Sequence, residues 1–139
     1  MTWLVWSLLS AVFAALTAIL AKKGVAGVDA TLATAVRTSV VVVFAWLLAL
    51  VTGTPHRFQP FTTRTWLFLA LSGVATGLSW LFYFHALQVG EASRVAPIDK
   101  LSVVFVIILA TVFLGEKPTW GKGIGVLLIA AGAITIAID

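Results

Sequence analysis

Asp99 and Lys100 stand side by side, just after Pro97, at the head of a run that is apolar from Val103 to Leu114. Arg37 lies inside another apolar run, Ala30 to Val51. Charges in such runs are expensive, each costing roughly 2.5 to 3.5 kcal/mol at the centre of a membrane-spanning helix. They tend to face a bundle interior or an aqueous cavity, so these three residues are the first candidates for function. Two fixed positive charges against one negative charge favour an anionic group. Arginine adds planar, bidentate hydrogen bonds to carboxylate or phosphate. Around them, His85 could carry a proton and Trp80 could line a cavity. Ser102, three residues beyond Asp99, shares its face of a continuous helix.

Each of these residues also has a plainer reading. Arg37 and Lys100 are long enough to snorkel part of the way to an interface, which leaves Asp99 only to neutralise one of them. His85, in Tyr83-Phe84-His85, is then an interfacial histidine, and Trp80 a packing or lipid contact. Lys100 points about 100° away from Asp99 around a helix, so the two need not pair with each other. Glu116 opposes the dipole of a helix C-terminus; with Lys117 and Lys122 nearby it reads as half of a structural ion pair.

The elements that hold these residues follow from composition. The chain has 139 residues, 61% hydrophobic and 10% charged, with a mean hydropathy of +1.12. Soluble domains are about 25% charged. An all-α integral membrane protein is expected, and five segments approach the roughly 20 apolar residues that a span needs. They are Trp3 to Leu20, Ala30 to Val51 with Asp29 as N-cap, Thr65 to Leu87, Ser93 to Leu114, and Trp120 to Ile138. Pro97 is expected in the first turn of the fourth, where its missing N–H is tolerated. No positive segment precedes the first span and two lysines follow it, so it reads as a retained helix. Trp3, Trp6, Trp66 and Trp120 fall near span ends, where aromatic belts form.

The loops are short apart from a polar stretch, Thr52 to Arg64, that contains Pro55, His56 and Pro60. With five spans the two ends of the chain fall on opposite faces. One face then carries Arg57, Arg64, Lys117 and Lys122, and the other Lys22, Lys23 and Arg94. Orientation is set by Lys/Arg asymmetry in short loops, and four against three is almost none. Insertion in both orientations is therefore expected. The second and fourth spans start on the same face, so Arg37 and Lys100 should both lie ~10 Å along their helices. On this count Arg37, Asp99 and Lys100 share one layer, with His85 somewhat shallower.

Two glycine spacings suggest close helix approach: Gly73 with Gly77, and Gly121 with Gly125, the latter continued by Gly132. Such faces serve packing within a fold or between protomers. With no cysteine, and with His56 and His85 far apart, neither a disulfide nor a local metal motif is expected. A net charge of +4 reads as anchoring to anionic lipid, and no nucleic-acid partner is implied.

Ala86-Leu87, Val95-Ala96-Pro97-Ile98, Leu114-Gly115-Glu116 and the run Gly123 to Gly132 together resemble the EamA repeat of the drug/metabolite transporter superfamily. Arg37 in the second span also fits the repeat. The resemblance covers essentially the whole chain as one domain, 1–139, and is to the five-helix, single-repeat bacterial and archaeal branch. It implies transport of small metabolites by alternating access through a cavity between two inverted halves. The small multidrug-resistance branch uses a glutamate in its first helix, and this first span has no acidic residue.

The expected protein is thus a secondary transporter of the cell inner membrane, working with no cofactor as an antiparallel homodimer. Its expected substrate is a small anionic or zwitterionic metabolite, or a phosphate-bearing lipid headgroup. Arg37, Lys100, Asp99, Ser102, Trp80 and His85 form the expected site, and Gly73, Gly77, Gly121, Gly125 and Gly132 the packing faces. The alternative is a non-transporting membrane subunit whose charges pair internally and whose glycine faces dock a partner. An enzyme is not expected, because no nucleophile–base pair or metal set assembles.

Overall fold

Water is absent from the bilayer core, so a spanning segment must satisfy its own backbone hydrogen bonds, and helices do so. The computed structural model, which describes residues 2–53 and 61–139, is helical wherever the sequence is long and apolar. Its elements are α1 (Trp3–Gly24), α2 (Ala30–Val51), α3 (Thr63–Val89), α4 (Ala92–Asp99), α5 (Ser102–Phe113) and α6 (Trp120–Ile138). No strand occurs among the described residues. Among the described residues, five stretches are long and apolar enough to cross a membrane: α1, α2, α3, α4 with α5, and α6. The second and fifth have the expected bounds, while the first and third run two to four residues further. The expected polar loop with Pro55, His56, Arg57 and Pro60 lies largely outside the described residues.

The fourth span departs from expectation, because it is not one helix. Glu91 caps α4, so Pro97 is the sixth of its eight residues and not in its first turn. Proline cannot donate to the carbonyl of Ser93, and the ladder does not recover its α-helical form directly. Beyond it the backbone tightens into three-residue hydrogen bonds. Leu101 N–H donates to Ile98 O at 3.0 Å, Val103 N–H to Lys100 O at 3.0 Å, and Val104 N–H to Leu101 O at 2.9 Å. The chain thus turns at Lys100 and Leu101, between Asp99, the last residue of α4, and Ser102, the first of α5. Through three-residue bonds positions three apart stay in line, so Asp99 and Ser102 keep the common face that a continuous helix would give them.

The end of α5 gives a physical reason for Leu114-Gly115-Glu116. Gly115 has φ of 67°, the left-handed region that a Cβ disfavours. That turn returns the Glu116 N–H to the Ala110 carbonyl at 3.2 Å. Glu116 then pairs with Lys122 at 3.3 Å, the structural ion pair expected of it. Thr119 Oγ1 caps α6 by accepting from the Lys122 N–H at 3.3 Å.

The chain forms two compact units, residues 1–20 with 89–139, and residues 21–88. In the first, α6 packs on α4 and α5, with Ala133 buried. The second unit contains the last turn of α1, then α2 and α3. Val25, Ala30, Phe84 and Leu87 are buried there, which joins the turn between α1 and α2 to the end of α3. Lipid tails are as apolar as leucine, so polar contacts and tight packing, not burial alone, hold such elements together. Lys22 Nζ donates to the Leu87 carbonyl, and Gln88 Nε2 donates to the Val28 carbonyl. Lys22 thereby places a cation on the last turn of α3, where the helix dipole favours one.

Asp29 is the N-cap of α2, accepting from the Thr31 N–H at 2.9 Å and the Leu32 N–H at 3.0 Å. The Leu32 amide, chiefly, holds its carboxyl below the usual carboxylate range, with Thr31 and His85 adding to the effect. A lowered folded-state pKa stabilises the fold above the unfolded value of about 4, and that contribution disappears as pH falls through the lowered one. Asp29→Ala should therefore lower the melting temperature at neutral pH, and the gap from wild type should close in acid. A pH-independent gap would assign the effect to something other than the charged cap.

Candidate functional site

Arg37 is seven residues into α2 and Trp80 seven residues before Leu87 in α3. Ala30 and Leu87 are both buried, and Arg37 and Trp80 each lie ~10 Å along their helices from them. The structure brings these two expected residues together. The guanidinium carbon of Arg37 lies 4.3 Å from the centroid of the Trp80 ring and 5.3 Å from that of Phe84. Trp80 and Phe84 are four residues apart, one turn of α3, so their rings stand one above the other on one face. Arg37 and Trp80 are half-buried, and Phe84 is buried.

Residues 21–88 carry five lysines and arginines against one carboxylate, Asp29, and that carboxylate caps a helix. Among the described residues of this unit, Arg37 therefore has aromatic faces for neighbours and no ion-pair partner. Tyr83 also lies close enough to act on it electrostatically. A guanidinium over an aromatic ring keeps its charge, and its donors lie at its edge, where a planar acceptor can meet them. The arrangement can receive a carboxylate or phosphate. It offers nothing to a metal cation, and among the described residues no three His, Cys, Asp or Glu side chains gather to hold one.

The other unit is electrically balanced, with four basic and four acidic residues. Glu91 pairs with Arg94 at 3.6 Å and Glu116 with Lys122 at 3.3 Å. Asp99 Oδ2 pairs with Lys100 Nζ at 3.0 Å. Sequence geometry allowed these two to stay apart, but the long Lys100 side chain reaches back to its neighbour at the C-cap of α4. Ser102 is exposed at the start of α5. His85 is exposed near the end of α3, close enough to Asp29 to act on its carboxyl. The expected layer of Arg37 with Asp99 and Lys100 spans the two units and remains part of the proposal below.

The glycine faces are open. A Cβ added at Gly73, Gly77, Gly121, Gly125 or Gly132 would meet nothing within 4 Å outside its own helix. On α6 the glycine line lies about 100° around the helix from the buried Ala133.

Sequence reasoning missed Phe84 as a partner of Arg37. The signal was present, as an aromatic one helical turn from Trp80. It also took Lys22 as a loop charge only, and had no signal for its bond to Leu87, 65 residues away.

These features define a multi-pass helical membrane protein with an arginine held on aromatic rings inside a span. The chain matches the EamA-like transporter family over residues 1–138, and it belongs to that family. It is 51% identical over 137 residues to the "Uncharacterized transporter in cobO 3'region" of Sinorhizobium sp., covering 99% of this chain and 97% of that protein. It is 27% identical to the "Uncharacterized transporter YxxF" of Bacillus subtilis (strain 168), over 96% of this chain but 42% of that protein. A shorter stretch of 73 residues, 52% of this chain and 68% of the relative, is 34% identical to a protein of Enterobacter sp. (strain 638). That protein is named "Probable 4-amino-4-deoxy-L-arabinose-phosphoundecaprenol flippase subunit ArnE". No solved structure matches. By family the chain is a membrane transporter, as the repeat-like motifs implied.

Proposed function

We propose that the chain is a secondary transporter of a small anionic or zwitterionic metabolite, or of a phosphate-bearing lipid headgroup. The observation that carries this reading is Arg37, a fixed cation inside a span, with aromatic neighbours and no carboxylate partner in its unit. In an empty site that charge is available to a substrate. Lys100 adds a second cation for the substrate's negative group, and Asp99 sets the local charge and carries a coupling proton. Trp80, His85 and Ser102 line the path around them.

The working unit is an antiparallel homodimer in the cell inner membrane, each copy contributing one five-helix domain. Alternating access around a central site needs two inverted halves, and one copy supplies one half. A relative more than twice the length of the matched stretch supports the same reasoning. So do the open glycine lines on α3 and α6, which leave room for a second backbone. The word "subunit" in the name of the Enterobacter protein favours a second reading, a non-transporting partner of another membrane protein.

Topology separates the two. With four loop cations against three, reporters fused to the C-terminus should read both sides of the membrane. Two lysines added to the loop between α2 and α3 should bias insertion and depress transport. Co-expression of an oppositely biased copy should restore it. A wild-type chain found in a single orientation would remove the homodimer.

A further inference from the structure

We infer that Trp80 and Phe84 are positioning residues, acting through Arg37 to turn the N–H edge of its guanidinium toward a planar carboxylate or phosphate oxygen pair. The inference rests on the anion-binding reading above and deepens it, because it makes the selectivity of the site a property of the α3 aromatics. A free arginine side chain samples many rotamers, and ordering one on binding costs roughly 0.5 to 1.5 kcal/mol. Here the order exists before the substrate arrives. The guanidinium carbon lies over both rings, 4.3 Å from one centroid and 5.3 Å from the other.

Phe84 is 2% exposed and lies three residues before Leu87 on α3. The end of α3 is latched to the turn between α1 and α2 by Lys22 on the Leu87 carbonyl and by Gln88 on the Val28 carbonyl. The chain of support runs from the turn to the end of α3, to Phe84 and Trp80, and finally to Arg37. A planar cation stacked on a ring has its faces directed at carbon and its donors directed sideways. With rings on one side of the cation, an anion approaches from the sides that they leave open. Carboxylate and phosphate, which present two oxygens side by side, fit that approach, and a single-point acceptor gains half as much.

The test uses the full-length protein in lipid nanodiscs, with inorganic phosphate and acetate as probes. Phenylglyoxal labels arginine, and mass spectrometry reads the extent of modification at Arg37. Each probe should slow labelling of wild-type Arg37 in a saturable way, and the concentration for half-protection gives an apparent Kd. Trp80→Leu keeps an apolar side chain but removes the ring. It should weaken protection about two- to fivefold, the scale of one half-exposed cation–π contact. Trp80→Phe should restore most of the protection, which a purely space-filling role would not require. Phe84→Leu gives the same comparison if Trp80→Leu fails to fold. No protection in the wild type would overturn the anion site and this inference together. Wild-type protection that Trp80→Leu and Phe84→Leu leave unchanged would overturn the positioning role alone.

Discussion

Arg37→Gln should reduce affinity for the transported anion about a hundredfold or more and leave folding nearly intact. Each charge-assisted hydrogen bond to an arginine contributes roughly 1.5 to 3 kcal/mol, so losing a bidentate pair exceeds a factor of a hundred. The structural loss is small by comparison. Arg37 has no ion-pair partner in its unit, and a half-exposed cation–π contact is worth about 0.5 to 1 kcal/mol. Arg37→Lys is the sharper variant, because it keeps the charge and discards the plane. It should recover little, since a flexible point charge neither stacks in the same way nor offers paired donors. The measurement is the binding isotherm of whichever carboxylate or phosphate ester raises the wild-type melting temperature. A lysine variant that binds like wild type would show that only charge matters here. A glutamine variant that unfolds would make Arg37 a structural residue.

The spans were legible because lipid imposes one rule on every residue of a segment: about 20 apolar residues in a row leave only a helix. Ala30 to Val51 and Trp120 to Ile138 were readable to the residue for that reason, and Asp29 because N-caps use a short list of side chains. The fourth span was not legible. Its composition is as apolar as the others, and Pro97 is compatible with a first turn or with a break. Which occurs depends on where α4 starts, and a shift of the cap from Ser93 to Glu91 helped to put the proline in the interior. Arg37 with Trp80 was half legible. Both were singled out as site candidates, but the choice of neighbour depends on rotation of α2 against α3. Residues with weak periodicity do not encode that rotation, and both helices are apolar nearly all round. The bonds from Lys22 and Gln88 to backbone carbonyls, 65 and 60 residues away, are beyond any local pattern.

Asp99→Asn tests the other half of the proposed layer, and its largest effect should fall on coupling, not on folding. The Asp99–Lys100 pair is close, at 3.0 Å, but its side chains are 35% and 58% exposed. An ion pair open to water contributes about 0 to 1 kcal/mol. A buried pair behaves differently, because removing one partner strands a charge and costs about 3 to 5 kcal/mol. The two cases predict opposite phenotypes. With the pair reached by water, Asp99→Asn leaves the melting temperature almost unchanged and makes the site more positive. Affinity for an anionic substrate then holds or rises, while the pH dependence of transport disappears with the proton carrier. Lys100→Gln should weaken the same binding, again with little loss of folding. Thermal unfolding and substrate affinity of both single variants and of the double variant, measured across pH, decide between the cases. A loss of several kcal/mol in Asp99→Asn that Lys100→Gln relieves would make the pair a structural staple. Near-unchanged stability with lost pH dependence would place Asp99 on the transport cycle.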